Sequence, residues 1–189
     1  ASNMALTECD LLINLGSRFD DRLASNPKEF APNAKVVHID IDESEINKVI
    51  PTTLGIVADC KKVLETLVTE HQSHATYKEW VDHCLDNKSK HPFKYKEAND
   101  TFCRPQEAIE YIGKITNGEA IVTTDVGQHQ MWSAQFYPFK HHSQWVTSGG
   151  LGTMGFGIPS AIGAQLAAPD KTVICFVGDG GFQMTNQEM

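Results

Sequence analysis

The chain has 189 residues, 41% of them apolar and 21% charged, which is globular composition and excludes a wholly disordered or fibrous chain. There are 16 basic residues against 24 acidic ones, a net charge of −8. That is the wrong sign for a general nucleic-acid partner, which requires a basic face. No apolar run reaches the roughly 18 residues of a membrane span, and five scattered cysteines without a C-x-x-C pair point to a reducing cytoplasm rather than a disulfide framework or zinc site.

The first apolar run, residues 11–15, ends at Gly16. A second covers 36–41 and a weaker third covers 55–57, stopped by Ala58-Asp59. Runs this short and apolar on both faces suit strands of a parallel sheet. Residues 44–49 read as a helix with Asp42 as a possible cap. Residues 60–70 read as another, with Val63, Leu64, Leu67 and Val68 on one face. Strand–helix alternation of this kind gives an α/β, doubly wound pattern. Residues 71–103 are polar, with lysines and isolated aromatics. They read as a linker holding one short helix over 77–87.

A second module begins at Arg104-Pro105. Proline suits a first helical position, and Ala108, Ile109, Ile112 and Ile115 follow at helical spacing. Residues 120–124 read as a strand running into Asp125-Val126-Gly127, and 128–136 as a helix. Residues 145–147 read as extended, 159–168 as a helix and 173–177 as a buried strand that meets Gly178-Asp179-Gly180-Gly181. The domain expectation is therefore 1–70, a linker over 71–103, and 104–189. The chain opens on Ala1-Ser2-Asn3 without an initiator methionine. It closes at Gln187-Glu188-Met189 inside what reads as the first turns of a helix. The expectation is a piece of a longer protein.

Three places carry chemistry. Gly178-Asp179-Gly180-Gly181 follows an apolar strand, so it stands at the carboxyl edge of a parallel sheet, where doubly wound folds bind ligands. Its glycines let backbone approach a phosphate. An aspartate beside an anion repels it unless the carboxylate holds Mg²⁺ and the cation bridges to the phosphate. Taken alone, the same four residues also describe a tight turn. The stretch 149–157 has five glycines in nine residues around Met154, a polarizable side chain on a bare ledge; Met154 also reads as ordinary core. Thr123-Thr124-Asp125-Val126-Gly127-Gln128-His129-Gln130 is another strand end opening a helix. Its hydroxyls, amide and imidazole suit phosphate oxygens, and His129 equally suits a capping or packing role.

Together these three pieces resemble the diphosphate-binding domain of thiamine diphosphate enzymes. The first module narrows the resemblance. Gly16-Ser17-Arg18-Phe19-Asp20-Asp21-Arg22, then His38-Ile39-Asp40-Ile41-Asp42 and Glu45, is similar to the middle domain of the catalytic subunit of acetolactate synthase (acetohydroxyacid synthase). The resemblance implies Rossmann-like, doubly wound parallel sheets in two partial domains. It implies thiamine diphosphate against Gly127, Gln128, His129, Gly152, Met154, Gly180 and Gly181, with Asp179 on Mg²⁺ and Met154 propping the cofactor's bend. It also implies FAD against Gly16, Arg18, Asp20, Arg22, Asp40, Ile41, Glu45 and Asp59. Without the resemblance, the run from Arg18 to Arg22 reads as a surface ion-pair cluster. Ala58-Asp59 stands where the family often has Gly-Asp, and Gly181 where it often has Ser or Ala.

The family condenses two pyruvates, or pyruvate and 2-ketobutyrate, with loss of CO2, early in branched-chain amino acid biosynthesis. Its catalytic subunits form homodimers or homotetramers, and some take a small regulatory subunit. Its metal motif ends in an Asn-Asn pair later than any candidate here; Asn186 is too close. Its activating glutamate lies in an N-terminal domain of the partner subunit, and no residue here matches it. The expectation is that this chain alone is inactive. A glyoxylate carboligase, a pyruvate oxidase and a non-catalytic nucleotide-binding module are the competing readings, and the run from Arg18 to Arg22 favours acetolactate synthase.

Overall fold

A computed structural model describes residues 1–20, 23, 26–70, 76–96 and 102–189. The chain divides into two compact units, Ala1–Pro92 and Phe93–Met189.

In the first unit, helix α1 (Ser2–Glu8) precedes strands β1 (Leu11–Leu15), β2 (Lys35–Asp40) and β3 (Leu54–Val57), then helices α2 (Cys60–Glu70) and α3 (Lys78–Lys90). The sheet is parallel in the order β1-β2-β3, with Leu15 opposite Ile39 and Asp40 opposite Val57. The central strand holds the buried positions, since Val36, His38, Ile39 and Asp40 are all buried. Phe19, Val36 and Ile50 form the core, with Leu12, Phe30 and Val49 against them. The short apolar runs become parallel strands as their composition implies. Helix α2 forms over 60–70, but none of its residues is buried.

Residues 44–49 do not form the expected helix. Asp42 accepts the Ser44 N–H at 2.9 Å and closes one 3-10 turn, Glu43–Glu45. Asn47 then adopts φ +61°, and its side-chain oxygen accepts from the Thr52 N–H and hydroxyl at 2.7 and 2.8 Å. Asp and Asn side chains that bond nearby backbone offer the chain an alternative to a helix, and here that alternative wins. The polar stretch 71–103 is likewise not uniform. Helix α3 faces α1, where His83 bonds Glu8 and Asn87 donates to the same carboxylate. Phe93 and Tyr95 belong to the second unit.

In the second unit, helix α4 (Pro105–Ile115) leads to strand β4 (Ile121–Thr124), helix α5 (Gln128–Phe136), strand β5 (Trp145–Thr147), helix α6 (Gly157–Ala167), strand β6 (Val173–Phe176) and helix α7 (Asp179–Thr185). Proline opens α4, and Glu107 accepts the Arg104 N–H at 3.4 Å, a capping arrangement that satisfies an otherwise orphaned donor. The sheet is parallel in the order β5-β4-β6. Ile109, Ala120, Val122 and Tyr137 form the core, joined by Trp132, Trp145, Ile174 and Phe176. Phe93 and Tyr95 pack edge-on against Phe136 at 6.1 and 5.3 Å. With β4 in the middle, the carboxyl ends of all its strands open on one edge. Among the described residues no helix is long and apolar enough to cross a membrane, and all five cysteines are free thiols.

Candidate functional site

The second unit gathers its candidate residues at that carboxyl edge. Past β4 the chain turns at Gly127 into α5; past β6 it turns at Gly178 into α7. The glycine ledge, residues 148–157, connects β5 to α6. His129 lies between the two turns. A Cβ placed on Gly127 would stand 2.9 Å from its Cε1, and one on Gly178 would stand 3.3 Å away. The His129 Nε2 is buried and bonds no protein atom. Met154 is 44% exposed, and its methyl would lie 3.2 Å from a Cβ on Gly180, so the thioether leans over the Asp179-Gly180 turn. Met154 is therefore neither core nor free: it rests on the ledge and overhangs the motif.

Gly181 is buried, while Gly127, Gln128 and Asp179 are exposed. Asp179 bonds the Gly180 N–H at 2.9 Å. Gly152 turns the ledge at φ +65°, and no described contact ties it or Gln128 to the Met154–Gly180 pair. The hydroxyls of Thr123 and Thr124 point inward, which corrects their reading as phosphate donors. Both residues are fully buried. Thr123 donates to the Gly157 carbonyl at 3.3 Å, and Thr124 shares a 2.8 Å bond with Thr147, to which the Gln130 amide donates at 2.7 Å. A central strand covered on both faces has no solvent side for its hydroxyls. Burial also pushes the Cys175 thiol on β6 above its ordinary value, which keeps it protonated beside this cluster.

One residue of the site was not singled out from sequence. Asp125 is completely buried, and its carboxylate accepts backbone N–H groups from Val126, Gly155 and Gly157. An acidic residue one position past an apolar strand is the only signal that points to it, because two of its three partners lie 30 and 32 residues away in sequence.

The site fits a diphosphate cofactor: two helices start at glycine turns on one sheet edge, where helix-start N–H groups suit an anion, and the buried His129 Nε2 there lacks a protein partner. Among the described residues no group of three or more His, Cys, Asp or Glu side chains gathers to hold a metal. Asp179 supplies one carboxylate. Mg²⁺ is held by one or two carboxylates when phosphate oxygens and water complete its shell, so Asp179 fits a metal shared with a diphosphate.

In the first unit the ends of β1, β2 and β3 likewise meet at one edge. Gly16 adopts φ +62° with its N–H on the Ile39 carbonyl at 2.8 Å, and a Cβ there would reach the Cys60 sulfur at 3.0 Å. Arg18 is exposed and stands 4.0 Å from Asp20. Ile41 is 73% exposed directly after β2, an apolar side chain offered at the edge. Other candidates are engaged internally. Asp40 accepts the Asp42 N–H at 2.9 Å and lies 3.7 Å from buried His38. Glu45 pairs with Lys48 at 2.6 Å, and Asp59 accepts the Lys61 N–H at 2.7 Å, opening α2. Arg22 lies outside the described residues. The exposed pair Arg18 and Ile41 beside a glycine turn fits a flavin nucleotide at the carboxyl edge of the sheet.

Comparison with known proteins follows the same division. Residues 1–67 match the profile described as thiamine pyrophosphate enzyme, central domain, and residues 125–189 match the one described as thiamine pyrophosphate enzyme, C-terminal TPP binding domain. The chain carries matches to two domains of the thiamine pyrophosphate enzymes. Over all 189 residues it is 56% identical to the acetolactate synthase large subunit of Lactococcus lactis, covering 100% of this chain and 33% of that protein. It is 47% identical to the acetolactate synthase isozyme 1 large subunit of Escherichia coli, covering 100% of this chain and 33% of the relative. It is 44% identical to the chloroplastic acetolactate synthase 1 of Nicotiana tabacum, covering 100% and 29%. The chain thus spans about a third of the length of these relatives.

Proposed function

We propose that the protein carrying this sequence is an acetolactate synthase catalytic subunit, condensing two pyruvates, or pyruvate and 2-ketobutyrate, with loss of CO2. The observation that carries this reading is the ledge of Met154 over the Gly178–Gly181 turn in a chain homologous throughout to acetolactate synthases. Thiamine diphosphate, when bound, supplies the electron sink for decarboxylation. The protein's part is to hold and orient it. Gly127, Gln128 and His129 would line the diphosphate side, with Gly152, Gly180 and Gly181 giving backbone contact. Asp179 would bind the Mg²⁺ that neutralises the phosphate charge. Met154, leaning over Gly180, would prop the bend.

In the first unit, Gly16, Arg18, Asp20, Arg22, Asp40, Ile41, Glu45 and Asp59 would surround FAD. Asp40 and Asp59 would act largely through the backbone they already fix. The subunits would assemble as a homodimer or homotetramer, with a regulatory subunit possible, in the cytoplasm. The proposed domains are 1–70, a linker over 71–103, and 104–189.

The test is acetolactate formation by the full-length protein carrying this sequence. Activity is expected only with pyruvate, thiamine diphosphate and Mg²⁺ together, and Asp179→Ala should abolish Mg²⁺-dependent stabilisation by the cofactor. A full-length protein whose thermal midpoint ignores thiamine diphosphate with Mg²⁺ overturns the reading. The 189-residue chain alone is expected to make no acetolactate.

A further inference from the structure

The carboxylate of Asp125 is fully buried, and among the described residues no cation pairs with it. Its Oδ2 accepts the Gly155 N–H at 2.8 Å and the Gly157 N–H at 3.3 Å. Its Oδ1 accepts the Val126 N–H at 2.7 Å and stands 3.0 Å from the Gly155 nitrogen. The Asp125 N–H bonds the Phe176 carbonyl of β6 at 3.0 Å. On its far side the carboxylate meets Gly181, where a Cβ would stand 2.5 Å from Cγ. One side chain therefore touches the end of β4, the glycine ledge, the start of α6 and the first turn of α7.

The bond to Gly155 matters most, because that N–H belongs to the peptide joining Met154 to Gly155. Gly155 has φ +85°, so the plane of this peptide is set by a turn that other residues rarely adopt. The carboxylate pins the plane, and with it the base of the Met154 side chain. Gly181, pressed on the same carboxylate, is the immediate neighbour of Gly180, over which the Met154 methyl lies. We propose that Asp125 is a positioning residue: from beneath the ledge it sets the height of Met154 above the Asp179-Gly180 turn, and so the shape of the cleft for thiamine diphosphate. This inference rests on the thiamine diphosphate reading above. A carboxylate is required because only an acceptor-only group can take three converging N–H donors, whereas an amide would turn its own N–H groups toward some of them.

The experiment is a double-mutant cycle on thiamine diphosphate affinity, read by thermal-shift titration with Mg²⁺ on the full-length protein carrying this sequence. The variants are Asp125→Asn, Met154→Ala and both together. Asp125→Asn is expected to weaken binding by roughly 10- to 100-fold, the range for a buried donor set left unpaired. In the Met154→Ala background the same change should do far less, because coupled groups are not additive. A merely structural Asp125 would weaken binding equally in both backgrounds, and that result overturns the proposal; so does Asp125→Asn binding like the parent. If Asp125→Asn does not fold, Gly181→Ala presses on the same carboxylate with its charge intact and must show the same coupling to Met154→Ala. Additive effects there overturn the proposal too. A parent protein that does not bind thiamine diphosphate overturns this inference and the functional reading together, while normal parent binding with any of the other adverse results overturns the inference alone.

Discussion

Adjacent glycines on α7 face opposite fates on replacement by alanine. Both lie in the helix, where Ala is favoured over Gly by up to about 1 kcal/mol. At Gly180 the nearest atom to the new methyl is the Met154 terminal carbon, 3.2 Å away, the free end of a flexible side chain that swings aside at little cost. At Gly181 the new methyl would stand 2.5 Å from the Asp125 Cγ, 2.6 Å from Oδ2 and 2.9 Å from Oδ1. That carboxylate cannot swing aside, because retreat breaks its bonds to Gly155 and Gly157. Overpacking of this kind costs about 1–3 kcal/mol, and one buried bond lost adds about 1 kcal/mol. Against the helix gain, Gly181→Ala should therefore destabilise by about 1–3 kcal/mol, while Gly180→Ala should be neutral or stabilising by up to about 1 kcal/mol. Gly150, whose added Cβ meets nothing within 4 Å, is the control, and its alanine variant should shift stability by less than about 0.5 kcal/mol. Urea unfolding followed by tryptophan fluorescence (Trp132 and Trp145 both lie in this unit) reads the difference. Equal midpoints for the two α7 variants would refute the account of Asp125 as an immovable group.

Other consequences are open to test. Tyr95 donates to Glu110 at 2.8 Å, and that bond pushes its ionisation up to about 12. A raised value in the folded state means the stabilisation is complete below the unfolded tyrosine value near 10 and is lost as pH rises toward about 12. Ultraviolet titration should show one late-ionising tyrosine that Glu110→Gln brings back into the ordinary range. Glu119, bonded by Lys140 and His141, is held below the usual carboxylate range. Its contribution is present above the unfolded glutamate value of about 4.3 and is lost as pH falls through the depressed one, so Glu119→Gln should flatten the acid limb of the melting-temperature profile; an unchanged limb refutes it. Asn47, at φ +61° with two side-chain bonds to Thr52, should lose about 1–2 kcal/mol or more as alanine and distinctly less as glycine. Equal losses by thermal denaturation would show that the left-handed turn carries no cost.

Local pattern was enough for the strands and most of the helices. Residues 11–15, 145–147 and 128–136 take the structure read for them: the first is an apolar run between Asp10 and Gly16, and the last is bracketed by Gly127 and Pro138, residues that limit how a short segment continues. Residues 44–49 misled because helical spacing does not register the Asp42 and Asn47 side chains bonding nearby backbone instead. The glycine ledge, Met154 and the Gly178–Gly181 turn were legible as separate pieces, since glycine-rich turns after apolar strands announce themselves.

Their assembly was not legible. That Met154 overhangs Gly180, that His129 fills the gap between Gly127 and Gly178, and that the Thr123 and Thr124 hydroxyls turn inward depend on β4 lying between β5 and β6. Asp125 shows the physical reason most plainly. Burying a carboxylate is costly unless donors meet it, and two of the three donors are backbone amides 30 and 32 residues further along. Composition and spacing determined which segments become strands, helices and glycine turns; only the pairing of distant strands decided which backbone amides would converge on one buried charge.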